Sequence, residues 1–259
     1  MKEKPWPAPA KLNLFLHITG RREDGYHQLQ TVFQFLDYGD LLNFSLRPDG
    51  QIRRTNDLSG VPEESDLVVR AAKLLQEASG CTQGADIQVN KYLPMGGGLG
   101  GGSSDAATTL IALNYLWSLG LPNETLAQLG LQLGADVPVF VHGHAAWAEG
   151  IGEKLTDVEL PEPWFVVLIP TIQVATAKIF NDPELTRDCP PITIRDFLTG
   201  QGDNVCQPLV EKRHPEVAEA LQWLGQHGKA IMTGTGACVF AAFEQEARAR
   251  EVFSVRPQG

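Results

Sequence analysis

LPMGGGLGGGSSDAATTLIALNYLW, residues 93–117, sets six glycines in the seven positions from Gly96 to Gly102, directly before an apolar run. Glycine gives up more backbone freedom on folding than any other residue, so such density calls for a physical reason. A helix N-terminus presents unpaired N–H groups and about half a positive charge, and residues without a Cβ let an anion approach that backbone. The pattern predicts a helix starting near Ser104, with Ser103 or Ser104 as its cap. Ala107, Leu110, Ile111, Leu113 and Trp117 give the helix an apolar anchor, and Pro94 stiffens the approach to the loop. A phosphate cradle is the favoured reading, and a slack surface loop is the plainer one.

The literal pattern is less specific than its density. Gly96, Gly98 and Gly101 satisfy G-x-G-x-x-G, yet a dinucleotide fold wants an acidic residue at a strand end about 20 positions on, and GLPNET stands there. A P-loop would end in Gly-Lys-Ser/Thr, whereas this loop ends in Gly-Ser-Ser-Asp. The His-Arg-Asp and Asp-Phe-Gly signatures of protein kinases are missing as well.

Outward from the loop, ADIQVNKYL (85–93) reads as the strand that feeds it. SDLVVRAAKLLQEAS (65–79) reads as a helix with Ser65 as its cap. KLNLFLHI (11–18) alternates, with Leu12, Leu14, Leu16 and Ile18 on one face and Lys11, Asn13, Phe15 and His17 on the other. LQTVFQFLDYGDLLNFSL (29–46) is extended and reads as more than one strand. Downstream, ETLAQLGLQL is helical, PWFVVLIP a buried strand, PEVAEALQWLGQHG helical, and IMTGTGACVFAAF a strand, a glycine turn and a strand. Charges and prolines near 152–162 mark a boundary. Residues 1–155 and 156–259 are the expected domains, and the mixture of elements is α+β rather than a regular βαβ alternation.

With 21 Lys and Arg against 31 Asp and Glu, the net charge is −10, which disfavours nucleic acid and acidic membranes as partners. A small anionic substrate needs only local cations, such as Arg21, Arg22, Lys91 or Lys178. No run approaches the roughly 18 apolar residues of a membrane span, and the start lacks the apolar block of a secretory signal. The four cysteines are scattered without metal-ligand spacing, so a reduced, cytoplasmic protein without structural zinc is expected.

Three stretches taken together resemble one family. They are PAPAKLNLFLHITGRREDGYHQLQTVFQ (7–34), LPMGGGLGGGSSDAAT (93–108) and MTGTGACVF (232–240). They resemble the GHMP kinases, small-molecule kinases whose glycine loop is unlike the P-loop, and the likeness runs in order over nearly the whole chain. Within that family GRREDGYHQLQT (20–31) resembles members that act on a cytidyl substrate. The resemblance implies two α/β lobes, an N-terminal one built around the glycine loop and a ferredoxin-like C-terminal one, with the active site in the cleft between them. It implies transfer of the ATP γ-phosphoryl to the 2-hydroxyl of a methylerythritol unit in non-mevalonate isoprenoid synthesis, by a monomer or weak homodimer.

The residues that match the family's motifs carry the expected roles. Lys11 and Asp136, the latter in GADVPVF, match the catalytic lysine and base. Without the resemblance a solvated lysine on an edge strand is the safer reading of Lys11, and Asp136 reads equally well as a turn residue. The triphosphate falls to Pro94, Met95, Gly96, Gly97, Gly98 and Leu99, and then to Gly100, Gly101, Gly102, Ser103, Ser104 and Asp105. Lys91 and Asp66 stand at the adenosine end, Asp66 where an asparagine is usual, and a carboxylate cannot donate as an amide does. Asn13 matches a substrate-orienting amide. Tyr26 and His27 match the pair that recognises cytosine, and Phe180 the ring on the base's other side. Thr176, Gly234 and Gly236 match positions bordering the substrate. Each of the aromatic residues alone reads as core packing.

ATP chemistry calls for Mg²⁺ to shield the β- and γ-oxygens. Ser104 could reach such an ion, but no carboxylate partner stands out and the metal ligands stay open. The rival readings are a homoserine or mevalonate kinase, a nicotinamide-dependent oxidoreductase and a nucleotide-binding module without catalysis.

Overall fold

A computed structural model describes residues 4–256. The chain divides into two compact units that alternate along the sequence. One comprises the chain up to Lys11 with Phe35–Leu93 and Gly100–His144. The other comprises Leu12–Gln34, Pro94–Leu99 and the chain from Ala145 onward.

Two long strands supply residues to both units: β1 (Trp6–Arg21) and β2 (His27–Arg47), which pair with each other. Two departures from the sequence reading concern them. The stretch 29–46 lies within one continuous strand. Gly39 does not break it, because that position needs a residue without a side chain: a Cβ there would strike the backbone of Ala8 and Pro9. β1 also lacks a wet face, since Lys11, Leu12, Asn13, Phe15, Leu16 and Ile18 are all buried. Alternation distinguishes faces only where one of them meets water.

In the first unit the C-terminal half of β2 pairs antiparallel with β4 (Gly84–Asn90), from Leu41↔Asn90 to Arg47↔Gly84. The short β3 (Ile52–Arg54) adds in parallel on the other edge of β4. Four helices complete the unit: α1 (Leu67–Ser79), α2 (Gly101–Leu116), α3 (Asn123–Leu131) and α4 (Val137–His142). Most of α2 is buried, including Ala106, Ala107, Leu110, Ala112 and Leu113, as an apolar helix without a polar stripe must be.

Both expected serine caps are replaced. α1 is capped by Asp66, whose Oδ1 accepts from the Val68 N–H at 3.0 Å, while the Ser65 hydroxyl donates to Pro62 O. α2 begins at Gly101, three residues earlier than expected, because Gly100 adopts the left-handed conformation at the cap (φ 74°) and its carbonyl accepts from Ser104 N–H at 2.8 Å. Ser103 and Ser104 therefore sit inside the first turn and cap nothing.

In the second unit the N-terminal half of β2 pairs with β5 (Ala146–Glu149), which pairs with β6 (Lys154–Asp157). A separate antiparallel sheet runs β7–β9–β8, with β7 at Trp164–Leu168, β8 at Ile231–Met232 and β9 at Val239–Phe243. β9 is central and almost wholly buried, which suits its run of small and apolar residues. Around it lie α5 (Thr176–Asn181), α6 (Ile194–Leu198), α7 (Gln207–Arg213), α8 (Pro215–Gly225) and α9 (Glu246–Ser254). One apolar cluster joins Leu16 and Ile18 to Val166, Val210, Val217, Leu224, Met232 and Val239.

Candidate active site

In the first unit Lys11 is drawn into the interior by the strand that carries it, and only its ammonium finds a charged partner. Lys11 Nζ lies 3.4 Å from Asp136 Oδ2, with side-chain exposures of 3% and 37%. Asp136 stands at the N-terminus of α4, but its side chain makes no capping bond, so its carboxylate faces Lys11 and solvent rather than the helix. Gly100 leaves the space this arrangement needs. A Cβ there would meet the Phe140 ring and, at 3.1 Å, the Lys11 Cε, and the left-handed φ favours glycine in any case.

A second lysine is held in a different manner. Lys91 Nζ bonds Asp40 Oδ2 at 2.5 Å and Asp105 Oδ2 at 2.8 Å. Asp40 is fully buried, and its Oδ1 also accepts from the N–H groups of Tyr92 (2.6 Å) and Leu93 (2.9 Å). Asp105 is served less well, because its Oδ1 and the neighbouring Ser104 Oγ are buried without hydrogen-bond partners. Burial pushes the Asp105 carboxyl up to about 7, with Lys91 pulling it down and Asp40 adding repulsion. Burial pulls the Lys91 ammonium down, but the two carboxylates outweigh it and its pKa is raised. Asp66, besides capping α1, accepts on Oδ2 from Arg54 at 2.5 Å.

The first half of the glycine loop belongs to the second unit. Gly97 O accepts from Cys238 N–H at 3.1 Å, and Gly98 O from Thr233 Oγ1 at 3.3 Å. Gly98 has φ 79°, and a Cβ on it would collide with Thr233 O, so the loop packs on the TGTG turn with no room for a side chain. Met95 and Gly96 stay exposed. Asn204 braces the same turn, donating from Nδ2 to Met232 O at 2.7 Å and Gly234 O at 2.8 Å.

Asn13 is buried within this network. Its backbone N–H donates to Thr233 Oγ1 at 2.9 Å, and its Nδ2 donates to Thr31 Oγ1 at 2.9 Å. Thr176 Oγ1 lies 2.9 Å from Thr235 Oγ1, joining the start of α5 to the turn that holds Gly234 and Gly236. Tyr26 is exposed, and its N–H donates to Asp24 Oδ1 at 3.1 Å. The His27 and Phe180 rings stack on each other, with centroids 5.1 Å apart and planes 24° apart. Arg187 Nε donates to His27 Nε2 at 3.0 Å.

The structure thus brings together Lys11 with Asp136 and Gly100; Lys91 with Asp105; Gly98 and Asn13 with Thr233; and His27 with Phe180. Sequence reasoning missed Asp40, Thr31, Arg187 and Asn204. Of these only Asp40, an acid between a glycine and two leucines inside a strand, left a signal. Among the described residues no group of three or more His, Cys, Asp or Glu could hold a metal ion.

The model of the GHMP kinases N-terminal domain matches residues 66–144, and that of the GHMP kinases C-terminal domain matches residues 192–256. A 4-diphosphocytidyl-2-C-methyl-D-erythritol kinase of Nitrosococcus oceani is 60% identical over 252 residues, spanning 97% of this chain and 90% of that one. The protein of the same name from Pseudomonas syringae pv. syringae is 62% identical over 246 residues, spanning 95% and 87%. A crystal structure of a 4-(cytidine 5'-diphospho)-2C-methyl-D-erythritol kinase superposes with a TM-score of 0.81 at 33% identity, over 95% of this chain and 92% of that one. The mevalonate kinase of Methanococcus jannaschii shares the fold, with a TM-score of 0.70 at 16% identity over 95% and 92%. Identity of this order, held over nearly the full length of both chains, goes beyond a common fold: the chain belongs to the GHMP kinases.

Proposed function

We propose that this kinase transfers the γ-phosphoryl of ATP to the 2-hydroxyl of 4-diphosphocytidyl-2-C-methyl-D-erythritol, giving the 2-phosphate and ADP in non-mevalonate isoprenoid synthesis. The observation that carries the chemistry is the Lys11–Asp136 pair at 3.4 Å, a buried cation holding a carboxylate that no cap or helix claims. Asp136 accepts the proton of the attacking hydroxyl as its oxygen bonds to the γ-phosphorus, a role worth typically ~10²–10⁴ in rate. The bond from that phosphorus to the bridging oxygen breaks, and ADP leaves with the electron pair. Lys11 orients the carboxylate and offsets charge on the moving phosphoryl group.

The backbone from Pro94 to Ser104 takes the triphosphate, and Lys91 and Asp66 lie toward the adenosine end. Mg²⁺ bound with ATP would supply neutralisation of the phosphate charge. The partnerless Ser104 Oγ and Asp105 Oδ1 are hard oxygen donors of the kind it accepts, and those two side chains would hold it. Tyr26, His27 and Phe180 take the cytosine, and Asn13, Thr176, Gly234 and Gly236 border the remainder of the substrate. By sequence, residues 1–155 with the catalytic pair and the ATP loop make an N-terminal domain and residues 156–259 a C-terminal one, a division distinct from the two interleaved compact units. The cysteines are free, which supports a reducing cytoplasm as the place of action.

The test is a transfer assay with purified protein, ATP and the cytidyl substrate, the product being identified by phosphorus NMR. A new phosphomonoester signal with stoichiometric ADP is expected. Turnover of homoserine or mevalonate, with none of the cytidyl compound, would defeat the reading.

A further inference from the structure

Arg187 is committed to four bonds. Its Nε donates to His27 Nε2 at 3.0 Å, its Nη1 to Leu185 O at 3.0 Å, and its Nη2 to Phe180 O at 2.8 Å and Asp182 O at 2.7 Å. Two of those carbonyls end α5, so the guanidinium satisfies orphan acceptors where a cation is favoured by the helix dipole. The same group therefore fixes the helix that carries Phe180 and the imidazole that stacks on Phe180.

A guanidinium has five donors, no acceptor and a permanent charge. The nitrogen facing it must offer a lone pair, which leaves the single ring proton of His27 on Nδ1 and forbids the doubly protonated form. We infer that Arg187 is a positioning residue that sets the tautomer of His27, so that the ring presents an Nδ1–H donor to an acceptor edge of the base, such as O2 or N3 of cytosine. Burial lowers the His27 pKa first, and the charges of Arg187 and of Arg21 on β1 lower it further, which agrees with a neutral ring. The inference rests on the reading of His27 as a base-recognising residue. Its consequence is specificity: a base edge that offers a donor at that place meets another donor and is refused.

The test begins with the unaltered protein, using long-range ¹H–¹⁵N NMR of the imidazoles with His27 assigned by comparison with His27→Asn. The expected result is a neutral Nδ1–H tautomer whose apparent pKa lies below the ordinary ~6.5. In Arg187→Met the tautomer becomes mixed and the pKa moves back toward that value. There KM for the cytidyl substrate rises about 10-fold, the worth of one good hydrogen bond, while kcat and KM for ATP hold. Arg187→Lys, a point charge that cannot bond four groups at once, recovers part of the loss.

An Nε2–H tautomer in the unaltered protein overturns the inference, and that measurement needs no variant to fold. So does an Arg187→Met enzyme whose tautomer changes while KM stays put. The underlying reading fails differently: Tyr26→Ala and Phe180→Ala would both leave KM for the cytidyl substrate unchanged, whatever the tautomer of His27.

Discussion

The first unit holds two lysines against carboxylates, and the contrast is between an acid left open beside its lysine and a lysine gripped from two sides. Lys11 lies 3.4 Å from Asp136, and that acid is more than a third exposed. Lys91 meets two buried acids at 2.5 and 2.8 Å, one of which also accepts two backbone N–H groups. Residue type is the same in both places. What differs is how much of each carboxylate's hydrogen-bonding capacity remains for a ligand. Asp136 keeps most of it, Asp40 keeps almost none, and Asp105 lies between, with one oxygen bonded and one without a partner.

Disarming the open pair should have the largest effect. Asp136→Asn keeps the shape and removes the base, so kcat is expected to fall by about 10²–10⁴ while ATP affinity holds. Its unfolding free energy should fall by about 1–3 kcal/mol, because the amide keeps an acceptor for the buried Lys11 ammonium but not its countercharge. Urea titration beside steady-state kinetics reads both quantities, and near-normal turnover would take Asp136 out of the role of base. The closed cluster should lose more stability. Asp40→Ala leaves the Tyr92 and Leu93 N–H groups and part of the half-buried Lys91 charge uncompensated around a fully buried position, at a cost of about 3–5 kcal/mol in the same titration. A loss below about 1 kcal/mol would show that the cluster is no brace.

The open pair and the closed cluster differ also in how far the sequence announces them. The glycine loop and its apolar helix are legible from composition and periodicity alone, since both are local. The helix start is misread because serine is the common cap, whereas here the left-handed Gly100 takes that place. The two-sided burial of β1 is hidden because Asn13 looks like a wet-face residue, and the hydroxyls that satisfy it come from Thr31 and Thr233. Lys11 and Asp136 acquire roles only through the family resemblance, because a lysine on a strand and an aspartate before Val-Pro carry no signature. Partners at long separation are the least legible: Asp40 lies 51 residues from Lys91, and Arg187 lies 160 from His27. No local pattern connects such pairs.

Asp105, intermediate in the comparison, gives it a pH axis. Its pKa in the fold is raised from 3.8 to about 7 by burial, against the pull of Lys91. The native state therefore holds a proton that the unfolded chain releases near pH 4. The stability this provides is complete below that pH and is lost as pH climbs toward 7, by at most about 1.4 kcal/mol per unit. Asp105→Asn abolishes the titration. Urea midpoints of variant and parent, taken between pH 4 and 8, should diverge in the variant's favour up to about pH 7 and run parallel above it. A constant difference across the range would mean that Lys91 keeps Asp105 ionised throughout.

The second unit extends the same rule from charges to rings. His27 and Phe180 already occupy each other's faces, whereas Tyr26 is 59% exposed at the tip of a turn held by Arg22 N–H donating to Tyr26 O and by Asp24. An exposed aromatic ring on a fixed backbone gains little from its own fold and much from a flat ligand laid upon it. Tyr26→Ala should therefore leave stability and ATP binding nearly untouched and weaken the cytidyl substrate by about 1–3 kcal/mol, the range for one base stacked on one ring. Calorimetric titration with the cytidyl substrate measures the loss directly, and an unchanged Kd would place the base elsewhere. Phe180→Ala separates the two kinds of ring: it should lower stability as well as affinity, because it unstacks His27 before any ligand arrives.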